Sequence, residues 1–241
     1  MTPQLETSRR TPLNRARVLQ AAVVLADEVG LDALSMRRLA QDLGVVPMAL
    51  YKHVANKDEL LDGMVDVLIG EIAPAGRGSG WRNAVRQRVL SARQALLRHP
   101  WARQVLETRT SPTPAVLGYT DEFIGLFLAE GFSVDLTHHV MHALGSRMWG
   151  FTQELFDDAA SPVAEAVEPP EVQAAMLEEM ARRYPNILQV ATLARHDDGS
   201  VVSRGCDDQF EFEFALDLLL DGFERLHAQG WSSAGATAER G

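Results

Sequence analysis

Apolar residues recur at helical spacing along most of the chain. Between 13 and 29, Ala16, Leu19, Ala22, Val23 and Ala26 fall on one helix face, and Gly30 supplies a stop. Ser35 suits the N-cap of a short helix over 36–43, which Gly44 ends. A third short helix is predicted over 46–53, with Pro47 in the first turn, where the missing N–H costs nothing. Asn56 caps a fourth, over 57–72. Further helices are predicted over 81–99, 101–108, 114–130, 134–156, 171–184, near Ile187, and over 207–227.

Two of these are the most strongly patterned. Over 134–156, Leu136, Val140, Leu144, Met148, Phe151 and Leu155 keep a spacing of three or four. Over 207–227, Phe210, Phe214 and Leu218 occupy one side, and Phe212, Leu216, Leu219, Phe223 and Leu226 continue round the helix. The alternation at 210–214 imitates a strand, but the length of the pattern decides for a helix. A helix apolar over so wide an arc buries two sides, one against its own domain and the other against a second subunit. No strand signal competes, so the fold class is all-α.

Between the helices lie four polar stretches. Residues 1–12 read as a flexible N-terminal arm, 73–80 (APAGRGSG) as a linker, 157–170 as an acidic loop and 229–241 as a disordered tail. A chain of 241 residues can bury roughly 70% of its unfolded surface without staples. Its one cysteine, Cys206, excludes an internal disulfide framework and a four-cysteine zinc module, which favours a reducing, intracellular setting. No apolar run reaches the ~18 residues of a membrane span. The basic-then-apolar start (Arg9, Arg10, Arg15, Arg17, then 18–26) imitates a signal peptide, but Gln20 interrupts it and Asp27 and Glu28 stand where a cleavage site belongs. A soluble cytoplasmic protein without membrane contact is expected.

The net charge of −10 at first argues against a nucleic-acid partner. Yet through Lys57 there are eight basic and five acidic residues, a balance of +3, which leaves −13 for the remainder. A basic N-terminal module on an acidic body suits a protein that applies one end to phosphates. In that module two short helices meet at Gly44, flanked by longer amphipathic ones, which is a helix-turn-helix layout. Leu39, Leu43, Val45, Leu50 and Val54 supply its small core, and Ala40 allows close approach. Pro47, Met48, Ala49, Tyr51 and Lys52 are left pointing outward, as the N-terminal residues of a recognition helix point at base edges.

The stretch MRRLAQDLGVVPMALYKHVANKDELLDGM resembles the DNA-binding module of the tetracycline-repressor (TetR/AcrR) family, most specifically in Leu50-Tyr51-Lys52-His53-Val54-Ala55-Asn56-Lys57. It matches the tetracycline repressor subgroup particularly well, and LETRTSPTP at 106–114 and EGFSVD at 130–135 extend the likeness. The resemblance implies a helix-turn-helix domain over 13–56, a connecting helix over 57–72 and a ligand-binding and dimerisation domain over 81–228. It also implies a homodimeric repressor on a palindromic double-stranded DNA operator, released by a small-molecule effector. In that likeness Arg37 corresponds to a guanine-reading residue, Pro47, Met48, Ala49 and Lys52 to base-facing positions, Tyr51, His53 and Lys57 to phosphate or sugar contacts, and Ser35 to a backbone contact. Tyr51 and His53 have a second reading, as packing for the small core and the cap of the following helix. Residues 47–49 differ from the tetracycline repressor's own Gln-Pro-Thr, so a different operator is expected.

For the effector, the lining candidates are Arg88, Trp101, Arg109, Phe123, His138, Met141, His142 and Trp149, with Phe127, Met148, Phe151 and Gln153 behind them. Aromatics at this spacing also read as ordinary core. Arg109 and His138 resemble pocket-lining positions of the family. Val105 stands where the resemblance puts a magnesium-ligating histidine, and Ala73, Arg88 and Ala92 where it puts drug-gripping residues, so an effector other than a magnesium–tetracycline chelate is expected. Arg88 and Arg109 suggest an anion. His138 and His142, four apart, have a spacing that can hold a cation, but with His139 they do not complete a site, so no metal is expected. Leu136, Val140, Leu144, Leu216, Leu219 and Phe223 are the candidates for the dimer interface. No GxGxxG after a strand, GxxxxGK[ST], GxSxG or HExxH is present, so neither enzyme activity nor a cofactor is expected. The alternative function is a helix-turn-helix activator or a regulator that senses a protein partner.

Overall fold

The computed structural model describes residues 12–76, 78, 80–109, 111–150, 170–193 and 208–238. Among them every regular element is an α-helix, and no helix is long and apolar enough to cross a membrane. The chain divides into two compact units, Met1–Phe132 and Ser133–Gly241.

The first unit carries α1 (Arg15–Val29), α2 (Met36–Asp42), α3 (Pro47–Leu50), α4 (Lys57–Glu71), α5 (Trp81–Arg98), α6 (Trp101–Thr108) and α7 (Pro114–Ala129). α1, α2 and α4 each start on a side-chain cap: Asn14 accepts from the Arg17 N–H, Ser35 from Arg38 and Asn56 from Glu59. Glu59 in turn accepts from the Ala55 N–H at 2.7 Å, and with Asp58 it places acidic charge at the positive end of α4. Between α2 and α3 the chain reverses through Gly44, whose φ of 66° is the left-handed conformation that glycine adopts without strain. The Val45 N–H bonds back to Ala40 and the Gly44 N–H to Gln41, which closes the turn as a Schellman motif.

α3 is shorter than the predicted 46–53. After Leu50 the chain tightens, with the His53 and Val54 N–H groups both on the Leu50 carbonyl. Leu39, Ala40, Leu50 and Val54 are buried, and they join the buried faces of α1 and α4 in one core with Trp101, Ala102 and Val105 of α6. α1 and α4 pack closely because Gly63 lacks a side chain: a Cβ there would stand 2.5 Å from a Leu19 methyl. The segment 73–80 separates α4 from α5, yet α4 also packs on α5, α6 and α7, so this unit runs through it to Phe132. At its far end Trp81, Phe123, Phe127 and Phe132 form edge-on and tilted aromatic pairs.

The second unit contains α8 (Val134–Gly150), α9 (Pro170–Arg183), α10 (Pro185–Leu193), α11 (Asp208–Ala228) and α12 (Ser233–Ala238). α8 packs on α11, burying Leu136, Val140 and Leu144 with Phe212, Leu216, Leu220 and Phe223. The Arg147 guanidinium lies over the Phe212 ring and donates to the Glu211 carbonyl. Within the tail predicted to be disordered over 229–241, Ser233–Ala238 instead forms α12. Asp135 accepts from both the N–H and the hydroxyl of Ser233, at 2.7 and 2.9 Å, and so caps this helix from α8. Those two bonds hold the Asp135 carboxyl below its ordinary range. Residues 1–11 of the predicted arm 1–12, residues 157–169 of the predicted acidic loop 157–170, and Phe151, Gln153, Leu155 and Cys206 lie outside the described residues.

Candidate nucleic-acid interface

The outer surface of α2, α3 and the start of α4 collects the predicted DNA-reading residues. Arg37, Pro47, Lys52 and Lys57 are exposed, Ala49 and His53 half-buried. Met48 is 70% exposed, and Val46 beside it is equally open. Tyr51 is 46% exposed, and Asn56 does the capping of α4. No acidic side chain among the described residues pairs with Arg37, Arg38, Lys52 or Lys57. Asp27 is turned away, engaged at the α5–α6 corner. This surface therefore offers a forked guanidinium, a phenol, ammonium groups and two apolar side chains within one short turn–helix stretch. Those are the groups that bond guanine edges, bind phosphates and touch thymine methyls. Ser35 spends its oxygen lone pair on the Arg38 N–H and keeps its O–H as a donor.

Behind this surface lies a polar junction that sequence reasoning missed. Asp27 at the end of α1 accepts from the Trp101 indole N–H at 2.7 Å and pairs with His99 Nδ1 at 2.8 Å. His99 Nε2 reaches Glu71 at the end of α4, 3.1 Å away, and Arg98 donates to the same carboxylate at 2.8 Å. Burial alone would lower the His99 pKa, but its hydrogen bonds to the Asp27 and Glu71 carboxylates outweigh it and raise it. For Glu71 burial pulls upward, and the bonds from Arg98 and His99 prevail and lower it. Trp101, predicted to face the effector, is 4% exposed, and its one polar atom is used here.

Both arginines predicted to meet an anion are already paired. Arg88 is 6% exposed, donates to Glu122 at 2.8 Å and stacks its guanidinium over Tyr119 at 4.6 Å. Burial raises the Tyr119 pKa, and the Arg88 charge offsets part of that. Phe123 also stacks on this tyrosine. Arg109 pairs with Asp62 at 3.1 Å and Asp58 at 3.4 Å, both on α4. These carboxylates neutralise the positive charge on which the expectation of an anionic effector rests.

In the second unit His138 and His142 are exposed, with rings 4.6 Å apart, and Met141 is half-buried. His139 approaches Asp135 and stacks edge-on to Trp231. Among the described residues no group of three or more potential ligands could hold a metal. The Trp149 side chain lies outside the described residues. The predicted interface residues Leu136, Val140, Leu144, Leu216 and Phe223 are consumed in packing α8 on α11 of one chain, and Leu219 is half-buried. Heptad-like spacing identified a buried face but not its partner. The side left outward is that of Phe210, Phe214 and Leu218, each more than half exposed.

The family model described as "Bacterial regulatory proteins, tetR family" matches residues 18–64, and that described as "Tetracyclin repressor-like, C-terminal domain" matches 73–227. The chain is 32% identical over 220 residues to the HTH-type transcriptional repressor DrrR1 of Streptomyces coeruleorubidus, covering 88% of this chain and 78% of that one. It is 30% identical over 222 residues to the class G tetracycline repressor protein of Vibrio anguillarum, covering 90% and 97%. Among solved structures, the Streptomyces coelicolor TetR family protein ActR in complex with (S)-DNPA superposes with a TM-score of 0.64 at 25% identity, covering 90% of this chain and all of that one. With both domain models matched and repressors of this type aligned along most of its length, the chain belongs to the TetR family of transcriptional regulators.

Proposed function

We propose that this regulator is a ligand-released repressor that binds a palindromic DNA operator as a homodimer. The observation that carries the reading is the uncommitted chemistry of the α2–α3 surface: Arg37, Tyr51, Lys52 and Lys57 project outward without acidic partners among the described residues. Arg37 reads guanine, Pro47, Met48, Ala49 and Lys52 face base edges, and Tyr51, His53, Lys57 and Ser35 hold the backbone. DNA reading belongs to 13–56, transmission to 57–72, and ligand binding and dimerisation to 81–228.

A palindromic site requires two recognition helices about 34–36 Å apart. The stripe of Phe210, Phe214 and Leu218 on α11 is the surface offered to the second copy, since a lone chain would leave it in water. A small molecule then lowers operator affinity by as much as it prefers the released geometry. A 100-fold loss needs about 2.7 kcal/mol of differential binding. Val105, fully buried among apolar neighbours, has no lone pair for a cation, so the effector is not a magnesium–tetracycline chelate.

The test is a titration of the purified protein against a duplex of its own upstream region and a scrambled duplex at several salt concentrations. Preferential binding of the upstream duplex, by a species that sediments as a dimer, is the expected result. Equal affinity for both duplexes overturns the reading.

A further inference from the structure

The leading edge of α3 is Val46-Pro47-Met48-Ala49, a run without one hydrogen-bonding side chain. Val46, Pro47 and Met48 are exposed, Val46 to 68% and Met48 to 70%. Val46 also serves the fold poorly where it stands. It is the N-cap of α3 and makes no side-chain cap bond, whereas Asn14, Ser35 and Asn56 cap α1, α2 and α4. A serine, aspartate or asparagine at 46 would satisfy a first-turn N–H; a branched alkyl group cannot. Neither burial nor capping explains this side chain.

The surroundings select what covers the edge. Arg37, Lys52 and Lys57 share its face and have no acidic partners among the described residues, so a polyanion is drawn here. An apolar strip set in a cationic face then meets whatever apolar group that polyanion presents. On the major-groove edges of duplex DNA there is one alkyl group, the C5 methyl of thymine, and the other distinguishing groups are hydrogen-bond donors and acceptors.

We infer that Val46 and Met48 read thymine methyls, with Val46 a specificity-determining residue in its own right, so that each half of the operator places thymines under the leading edge of α3. The inference rests on the reading of this surface as the DNA-binding face and adds a base class to it. Arg37 bonds guanine through its fork, and residues 46 and 48 select thymine by apolar contact alone. Cytosine lacks the methyl and gives them nothing to touch. Covering one methyl with an apolar side chain changes affinity by about fourfold.

The experiment uses the full chain. Bound sites are selected from a random-sequence duplex pool, and the upstream duplex is titrated beside them. Each thymine of a selected half-site is then replaced in turn by deoxyuridine, which removes the methyl and keeps every hydrogen-bonding group. Affinity is expected to fall about fourfold at one thymine facing Val46 and at another facing Met48. Val46→Ala erases the first loss and Met48→Ala the second, with melting temperatures unchanged because both side chains are exposed. A merely structural Val46 would instead weaken thymine and uracil duplexes by the same factor in the variant, so the loss on methyl removal would persist. Affinity indifferent to uracil at every position, or losses that persist in Val46→Ala or in Met48→Ala, overturn the inference. A methyl effect on selected sites without preference for the upstream duplex sinks the repressor reading and leaves the methyl contact. Preferential upstream binding that ignores uracil does the reverse, and a pool that yields no site overturns both.

Discussion

The outer face of α2–α3 and the junction at the α5–α6 corner are both built from charged and aromatic residues, and they use them in opposite ways. At the junction the polar side chains have internal partners: Asp27 serves Trp101 and His99, and Glu71 serves His99 and Arg98. On the outer face Arg37, Tyr51, Lys52 and Lys57 point into water with no acidic partner among the described residues. A side chain whose chemistry is already spent inside the fold stabilises the fold. One whose chemistry is left over is available to a partner. The junction also joins the ends of α1 and α4 to α5 and α6, so it fixes the frame on which the outer face is carried.

The contrast breaks most visibly at Asp27. Asp27→Ala leaves the buried Trp101 N–H and His99 Nδ1 without acceptors, an expected loss of about 2–4 kcal/mol of stability. For a chain of this size that lowers the melting temperature by roughly 4–16 °C. The folded fraction keeps its DNA affinity. An unchanged melting temperature in calorimetry would show that the junction carries no load. Arg37→Ala is the converse experiment: operator affinity falls by about 1–3 kcal/mol and specificity relaxes, because one base-reading fork is gone. Its melting temperature stays put, since surface changes away from packed features fall within about 0.5 kcal/mol. Equal losses on operator and scrambled duplexes would move Arg37 from base reading to simple charge.

The same contrast explains what the sequence alone could show. The caps at Ser35 and Asn56, the turn at Gly44 and the outward set on α3 depend on residues within a few positions of one another, and all were legible. The junction was not, because Asp27 meets His99 and Trp101 across 72 and 74 residues of chain. Arg88 and Arg109 read as free cations for the same reason: Glu122, Asp58 and Asp62 come to them from other helices. On α11 the two apolar sides were visible, but only packing on α8 shows that Phe212, Leu216 and Phe223 face inward while Phe210, Phe214 and Leu218 remain outward. α12 escaped because a small, polar segment has no helical pattern of its own, and its cap, Asp135, lies 98 residues before Ser233.

Lys57 sharpens the comparison from the outer side with a smaller effect. It is the first residue of α4 and makes no ion pair within the described residues, so Lys57→Ala removes a phosphate contact and little else. Affinity falls on operator and scrambled duplexes alike, and the slope of log affinity against log salt becomes shallower by about 0.9. A loss confined to the operator would assign Lys57 to sequence reading.

The smallest expected effect is the pH dependence of the junction, small because burial opposes the hydrogen bonds at both titrating groups. His99 has a folded pKa above its unfolded value of about 6.5. Its contribution is fully present below that value and is lost as pH rises through the folded pKa. Glu71 has a folded pKa below its unfolded value of about 4.3, so its contribution is present above that value and lost as pH falls through the folded pKa. Asp27 and Arg98 complete the set of charges facing these two. The junction therefore contributes in full between about pH 4.3 and 6.5 and fades on each side. The observable is the melting-temperature difference between the unsubstituted protein and His99→Gln across pH 5 to 9. It should be widest at the acidic end and narrow as pH rises, because above the folded pKa the histidine is neutral and glutamine can replace its hydrogen bonds. A difference that stays constant or grows with pH would mean that His99 holds the corner by shape alone, and charge would no longer separate the junction from the outer face.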